Sequence, residues 1–246
     1  ACTASFLIPF MGSSINLAIP AIGEEFNSSA LLLGWVATSY LLASAAFLVP
    51  LGRLADIVGR KKIFTIGMII FSLASVLCGL SWSIESLLAF RSLQGVGSAM
   101  LFGTGMAMLT SVYPPQERGK VLGINVAAVY TGLSLGPVLG GAMNHNLGWQ
   151  SIFYFTALVS LAVLFLTVAR LKGEWAGARG EKFDLAGSVL YSVGLVAFMY
   201  GVSTIATAAA AKYLLVAGLI VLGVFVRYEL NLKHPVLNLS LLSRNV

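Results

Sequence analysis

One arginine, Arg91, stands in a run from Ser86 to Gln116 that holds no other charged residue. A guanidinium among so many apolar side chains must be solvated by something other than bulk water, at a cost of roughly 2.5–3.5 kcal/mol at the centre of an apolar slab. Arg91, Gln94, Gly95 and Ser98 recur at i, i+3, i+4 and i+7, one face of a helix. An inward-facing cation there would have an amide and a hydroxyl beside it. The position admits a second role. Arg91 lies about 9 Å along the helix axis from the run's midpoint near Gly97, close enough for its stem to carry the charge to the nearer surface.

A second constellation is Gly52-Arg53-Leu54-Ala55-Asp56-Ile57-Val58-Gly59-Arg60-Lys61-Lys62, in which one carboxylate sits among four cations between two glycines. Glycines let two chain segments meet closely, and the acid can pair with its neighbours where the dielectric is low. A third is Gly132, Gly136, Pro137, Gly140 and Gly141. Glycines at i, i+4 and i+8 leave a smooth strip for another backbone, and Pro137 removes one helical hydrogen bond and bends the rod. None of these groups is a metal cluster, a phosphate-cradling loop or a nucleophile with its base, so no enzyme and no cofactor is expected. His145 and His234 have no neighbouring ligands, and Cys2 and Cys78 lie in apolar stretches as small hydrophobes.

The elements that must hold these residues are set by composition. Of 246 residues 58% are hydrophobic and only 10% are charged, and the mean hydropathy is +0.92. An ordinary soluble domain carries roughly 25% charge, so the chain is expected to be an all-α integral membrane protein. The runs lack the alternation of barrel strands. A spanning helix needs roughly 20 apolar residues, and eight runs qualify: Thr3–Ile22, Leu31–Leu51, Ile63–Leu80, Glu85–Leu109, Val121–Met143, Ile152–Ala169, Leu185–Ile205 and Tyr213–Val226.

The net charge is +6, but the basic residues are spread between apolar runs, which argues for membrane orientation and against nucleic acid. Arg53, Arg60, Lys61 and Lys62, then Arg118 and Lys120, then Arg170, Lys172, Arg179 and Lys182, then Arg227, Lys233 and Arg244 all fall in alternate connections. The opposite set holds Lys212 alone. The basic side is expected to be cytoplasmic, with the N-terminus on that side.

The Gly52–Lys62 segment resembles, residue for residue, the signature loop G-x-L-x-D-x-x-G-R-K of the major facilitator superfamily. The resemblance implies a cytoplasmic gate formed by Gly52, Asp56, Gly59, Arg60 and Lys61. In that family the acid and arginine pair locally and with a helix end of the other half-molecule. The Arg91–Gly97 stretch is similar to the family's R-x-x-Q-G-x-G element, which implies a part for Arg91, with Gln94, in proton transfer. Gly132 to Gly141 resembles the G-x-x-x-G-P-x-x-G-G element of the antiporter branches, where the bend is thought to suppress leak. In the first span Asn16, Ala18 and Pro20 match the exporter pattern D-x-T-x-x-N-x-A-x-P, but Met11 occupies the aspartate position. No span then holds an acid near mid-depth.

Asn16 admits either an interhelical hydrogen bond or a substrate contact. Trp35 and Tyr40 match a family W-x-x-x-x-Y; Trp35 suits a cavity or an interfacial belt, and Tyr40 a cavity wall. Met100, Met106 and Met108 read as lipid-facing packing or a soft cavity wall. The resemblance divides the chain into a six-helix half over 1–170, a cytoplasmic linker over 171–184, two inserted spans over 185–228 and a cytoplasmic segment over 229–246. The Phe183–Gly187 start and the Glu229…Pro235…Leu242 exit of that pair resemble the inserted helices of the 14-helix drug:proton antiporters. The chain, which opens at Ala1 without Met, reads as the first eight spans of a longer carrier whose C-terminal half is missing.

The function implied is secondary transport by alternating access in the cell membrane: efflux of lipophilic or cationic small molecules against protons, with lipid as the surrounding partner. The alternatives are a metabolite, siderophore or amino-acid carrier of the same superfamily, or a membrane sensor with that fold. The orientation carries its own test. A cysteine placed in the Gly52–Lys62 turn is expected to resist an impermeant thiol reagent in intact cells and to react after permeabilisation; labelling in intact cells reverses the topology.

Overall fold

The computed structural model describes residues 2–171, 173–205, 210–232 and 235–237. Lys172, Lys233, His234 and Arg244 lie outside them, as do residues 238–246 of the last expected segment, Leu242 among them. The described residues form no strand and eight helices: α1 (Cys2–Phe26), α2 (Ala30–Val58), α3 (Arg60–Gly79), α4 (Ile84–Val112), α5 (Pro115–Leu147), α6 (Gln150–Arg170), α7 (Leu185–Thr204) and α8 (Ala211–Glu229). All eight are long and apolar enough to cross a bilayer.

Most helices run past their apolar stretches because polar caps sit outside those stretches. Ser83 and Ser86 form a reciprocal capping box at the head of α4, and Asp184 Oδ1 accepts from Gly187 N at 3.0 Å to head α7. The largest revision concerns the Gly52–Lys62 segment. It is not an open loop: α2 continues to Val58, α3 starts at Arg60, and Gly59 alone joins them. Its φ of 130° is one that residues with a side chain rarely adopt.

α1 packs along α5 and α2 along α4, while α3 lies against α4 and α6. Exchanging α1, α2 and α3 for α4, α5 and α6 maps the α1–α5 pair onto the α4–α2 pair, as expected of a bundle built from two three-helix repeats. One apolar core, around Met11, Ile15, Leu87 and Phe153, fills the end of the bundle where Glu25 accepts from Trp149 Nε1 at 2.7 Å. A second, around Phe64, Met68, Phe71, Leu101 and Val163, fills the basic end. α7 and α8 pair with each other and lean on α2, where Ser192 Oγ donates to Ala46 O at 2.8 Å.

The α1–α5 contact is the one the glycine strip builds. A Cβ at Gly132 would stand 3.2 Å from Phe10 N, one at Gly136 2.9 Å from Phe10 O, and one at Gly140 2.5 Å from Ser14 Cβ. Ser14 Oγ donates to Gly136 O at 2.9 Å across the seam. Gly141 faces only Leu17, at 3.4 Å, and stands outside the tight strip. Gly140→Val is therefore expected to lower the thermal unfolding midpoint in detergent, an overpacking cost of about 1–3 kcal/mol. Gly123→Val on the same helix, where nothing lies within 4 Å, is expected to leave that midpoint near the parent's.

Candidate functional site

Arg91 points inward and is fully buried, which excludes the surface-reaching alternative. Two glycines make the burial feasible. A Cβ at Gly95 would sit 2.9 Å from Ala43 Cβ of α2, and one at Gly97 2.7 Å from Phe71 N of α3. Bare backbone at both positions lets α2 and α3 close over α4, with Arg91 and Gln94 between them.

The charge is then solvated by the protein. Arg91 Nε donates to Val36 O at 3.0 Å and Nη1 to Gln94 Oε1 at 2.5 Å. The guanidinium carbon lies 4.4 Å from the centroid of the Tyr40 ring, a cation–π contact. Gln94 Nε2 donates to Ser75 Oγ at 2.8 Å, and Ser75 Oγ to Phe71 O at 2.7 Å. Tyr40 Oη donates to Ser98 Oγ at 2.8 Å. No carboxylate pairs with Arg91 among the described residues. Tyr40, expected at a cavity wall, is instead 3% exposed beneath the cation.

The other first-span candidates part company. Met11, at the position where exporters carry an acid, is fully buried, and Thr156 Oγ1 lies 3.5 Å from its sulfur. Asn16 is exposed and has no hydrogen-bond partner among the described residues, so the interhelical bond is not formed here. Trp35 is half-buried, and its ring lies 5.1 Å from that of Tyr200, a contact between α2 and α7.

At the basic end, Asp56 Oδ1 accepts from Arg60 Nε at 2.8 Å, with Nη2 at the same distance. Arg60 Nη1 reaches across to Ala107 O at 3.2 Å and Ser111 Oγ at 2.6 Å on the last turns of α4. The arginine thus ties the α2–α3 joint to α4 of its own bundle. Gly52 meets α4 too: a Cβ on Gly103 would lie 3.3 Å from Gly52 Cα.

The 171–184 connection supplies partners that the sequence pattern did not suggest. Glu174 caps α3, its Oε1 accepting from Lys61 N at 2.8 Å and its Oε2 from Lys62 N at 3.1 Å. Arg60 N donates to Trp175 O at 2.8 Å, and Ala178 N to Asp56 O at 2.9 Å. Lys61 Nζ donates to Leu171 O at 2.5 Å, and Arg53 Nη2 pairs with Glu181 Oε2 at 2.5 Å. The connection is a strap laid over the joint. The acids at 174 and 181 among its basic residues were the available signal.

A cleft of about 230 Å³ lies between α1, α4 and α5, lined mainly by Ile8, Leu101, Phe102, Met106 and Val129. Asn125, which the motifs did not single out, lines it as well; it is 4% exposed, and its Oδ1 has no partner among the described residues. Met106 lines the cleft, whereas Met100 and Met108 are buried in the bundle. Cys2 and Cys78 are unpaired, and His145 lies in the last turn of α5.

The sequence model described as Major Facilitator Superfamily matches residues 1–232. The riboflavin transporter RibZ of Clostridioides difficile is 32% identical over 191 residues, covering 78% of this chain and 42% of that protein. The multidrug resistance protein Stp of Mycobacterium tuberculosis is 36% identical over 198 residues, covering 80% of this chain and 37% of that protein. The chain thus spans less than half the length of these relatives. A crystal structure of a peptide transporter, POT, superposes with a TM-score of 0.63 at 14% identity, covering 81% of this chain and 49% of that one, a likeness of fold.

The buried cation makes a stability prediction. Removing one partner of a buried hydrogen bond leaves the other unsatisfied, at about 1–3 kcal/mol. Arg91→Met takes the donor from Gln94 Oε1 and is expected to lower the unfolding midpoint by an amount of that order, measured by thermal unfolding in detergent. A collapse of the fold would show instead that the cation is a structural keystone.

Proposed function

The chain belongs to the Major Facilitator Superfamily, and we propose that it works as the substrate-bearing lobe of a secondary transporter that exports lipophilic or cationic small molecules in exchange for protons. The observation that carries this reading is the α1–α4–α5 cleft. Its wall is mostly apolar and aromatic, one face is the flexible thioether of Met106, and Ser5 and Asn125 add polar groups to it. Such a wall selects mainly by apolar area, a property that tolerates many guests. The multidrug resistance protein among the relatives supports export.

In this reading the basic end faces the cytoplasm of a multi-pass protein of the cell membrane. The Asp56–Arg60 pair, tied to α4, forms part of a gate at that end. Substrate binds near mid-membrane against a second half-molecule, and rocking of the two halves exposes it alternately to each side. Arg91 and Gln94 set the field through which proton binding is felt. The antiporter strip keeps α1 and α5 packed while they rock. Asn16, unpartnered at the surface of α1, is left to meet substrate or the facing half.

The riboflavin transporter among the relatives favours one second reading, carriage of a flat, polar-edged metabolite through the same cleft. This lobe together with the second half-molecule that the reading requires, expressed in cells lacking their own efflux pumps, separates the two. Efflux of preloaded ethidium that stops on addition of a protonophore, and that Asn125→Leu slows, supports drug:proton export. Ethidium retained as in empty cells, or efflux indifferent to the protonophore, overturns it; riboflavin movement in its place establishes the metabolite carrier.

A further inference from the structure

The acids at the foot of the α7–α8 hairpin take no part in the cleft or in the Asp56–Arg60 joint. Asp184 heads α7 and Glu229 ends α8, and their side chains lie within hydrogen-bond reach of each other. Glu229 is 2% exposed. One oxygen of each is satisfied: Asp184 Oδ1 accepts from Gly187 N at 3.0 Å and from Tyr228 Oη at 3.3 Å, and Glu229 Oε2 accepts from Leu237 N at 3.2 Å. The other oxygen of each, Asp184 Oδ2 and Glu229 Oε1, is buried without a donor among the described residues. Both press on one point: a Cβ on Gly187 would collide with Asp184 Oδ2 and stand 2.5 Å from Glu229 Oε1.

Two facing carboxylate oxygens out of contact with water, with no donor between them, repel one another and lose their hydration. We propose that Asp184 and Glu229 share one bound proton, so that the foot of the hairpin is a proton-binding site. The proton supplies the missing donor, and with it every oxygen of the pair has a partner. Among the described residues no other group replaces it. Tyr228 already donates to the opposite oxygen of Asp184. Lys182 and Arg227, the neighbouring cations, are exposed and in no ion pair among the described residues. Arg53, Asp56 and Glu181 line the cleft behind Pro235, Val236 and Leu237, where Arg53 is engaged by Glu181.

That cleft gives the proton a structural consequence. With the proton in place, α7's first turn, α8's last residue and the Leu237 amide form one network, and residues 235–237 are held as part of the wall of the cleft that Gly52, Arg53 and Asp56 also line. Loss of the proton leaves two like charges at the joint and loosens that strap. The site goes beyond the transport reading above and stands whether or not Arg91 serves coupling.

Infrared difference spectroscopy on the full chain in lipid nanodiscs tests it at about pH 7, well above the usual carboxylate range of roughly 4. A protonated-carboxyl C=O band is expected in the wild type, absent from both Glu229→Gln and Asp184→Asn, with a shift in D2O. Each variant places an amide where the proton would bridge, and Asn keeps the helix cap, so both are expected to fold. A second measurement follows from linkage. The folded chain binds one proton more than the unfolded chain, so its stability falls as pH rises until that proton leaves. Glu229→Gln is expected to abolish that slope. No protonated-carboxyl band in the wild type, a band that survives both substitutions, or a stability slope unchanged in Glu229→Gln overturns the proposal.

Discussion

Burying the Arg91 guanidinium without a counter-ion is the constraint around which the bundle is arranged. An isolated cation in low dielectric is far more costly than an unpaired neutral group, so three helices must deliver ligands to it at once. α2 delivers the Val36 carbonyl and the Tyr40 ring, and α4 delivers Gln94, which is itself oriented by Ser75 of α3. That is possible only where backbones nearly touch, and Gly95 and Gly97 stand at the two approaches. The glycines and the arginine of this stretch are thus one device: remove the close approach and the ligands are too far, remove the cation and the polar lining has no purpose.

The basic end solves a related problem by different means. α2 and α3 project beyond their apolar runs and meet at a single glycine, which leaves the first amides of α3 without helical acceptors. Glu174 and the Trp175 carbonyl, from a connection more than a hundred positions later, take three of them. An acid at a helix N-terminus also meets the favourable end of the helix dipole. The strap and the Asp56–Arg60–α4 tie therefore hold one joint from two sides. A rotation of α2 against α4 would strain the Arg60 bonds to Ala107 and Ser111.

How legible this was depends on range. The spans were readable because twenty apolar residues have one outcome in a chain so poor in charge, and the Asp56–Arg60 pair because one acid among four cations at a low-dielectric edge pairs with a neighbour. The α1–α5 seam was readable as a smooth strip but not as a partner choice, since nothing in Gly132, Gly136 and Gly140 names Ser14. Arg91 was undecided for the same reason: its reach to either surface or interior is set by α2 and α3. Tyr40 looked like a cavity residue because an aromatic in a span has few other uses, until a cation was found above it. Trp35 finds Tyr200, and Glu174 finds α3, only after α7 and the strap have folded back. Long-range pairing of this kind leaves no period in the sequence.

The distribution of charge also limits what each group can do. Arginine keeps its proton at any physiological pH, so Arg91 cannot be the group that gives up and regains one; it can only set the field felt by a group that does. Among the described residues no carboxylate lies deep in a span: Glu24, Glu25 and Glu85 sit at one end, and Asp56, Glu117, Glu174, Glu181, Asp184 and Glu229 at the other. The position that exporters fill with an acid is Met11, sealed in the apolar core beside Thr156. An acid there would have to lose its water with only a threonine hydroxyl in reach. Within these eight helices the carboxylates therefore stand at helix ends, six of the nine at the basic end, while the deep cation has no acid paired with it among the described residues. On the reading proposed above, a proton exchanged in this lobe would act first on the packing of helix ends.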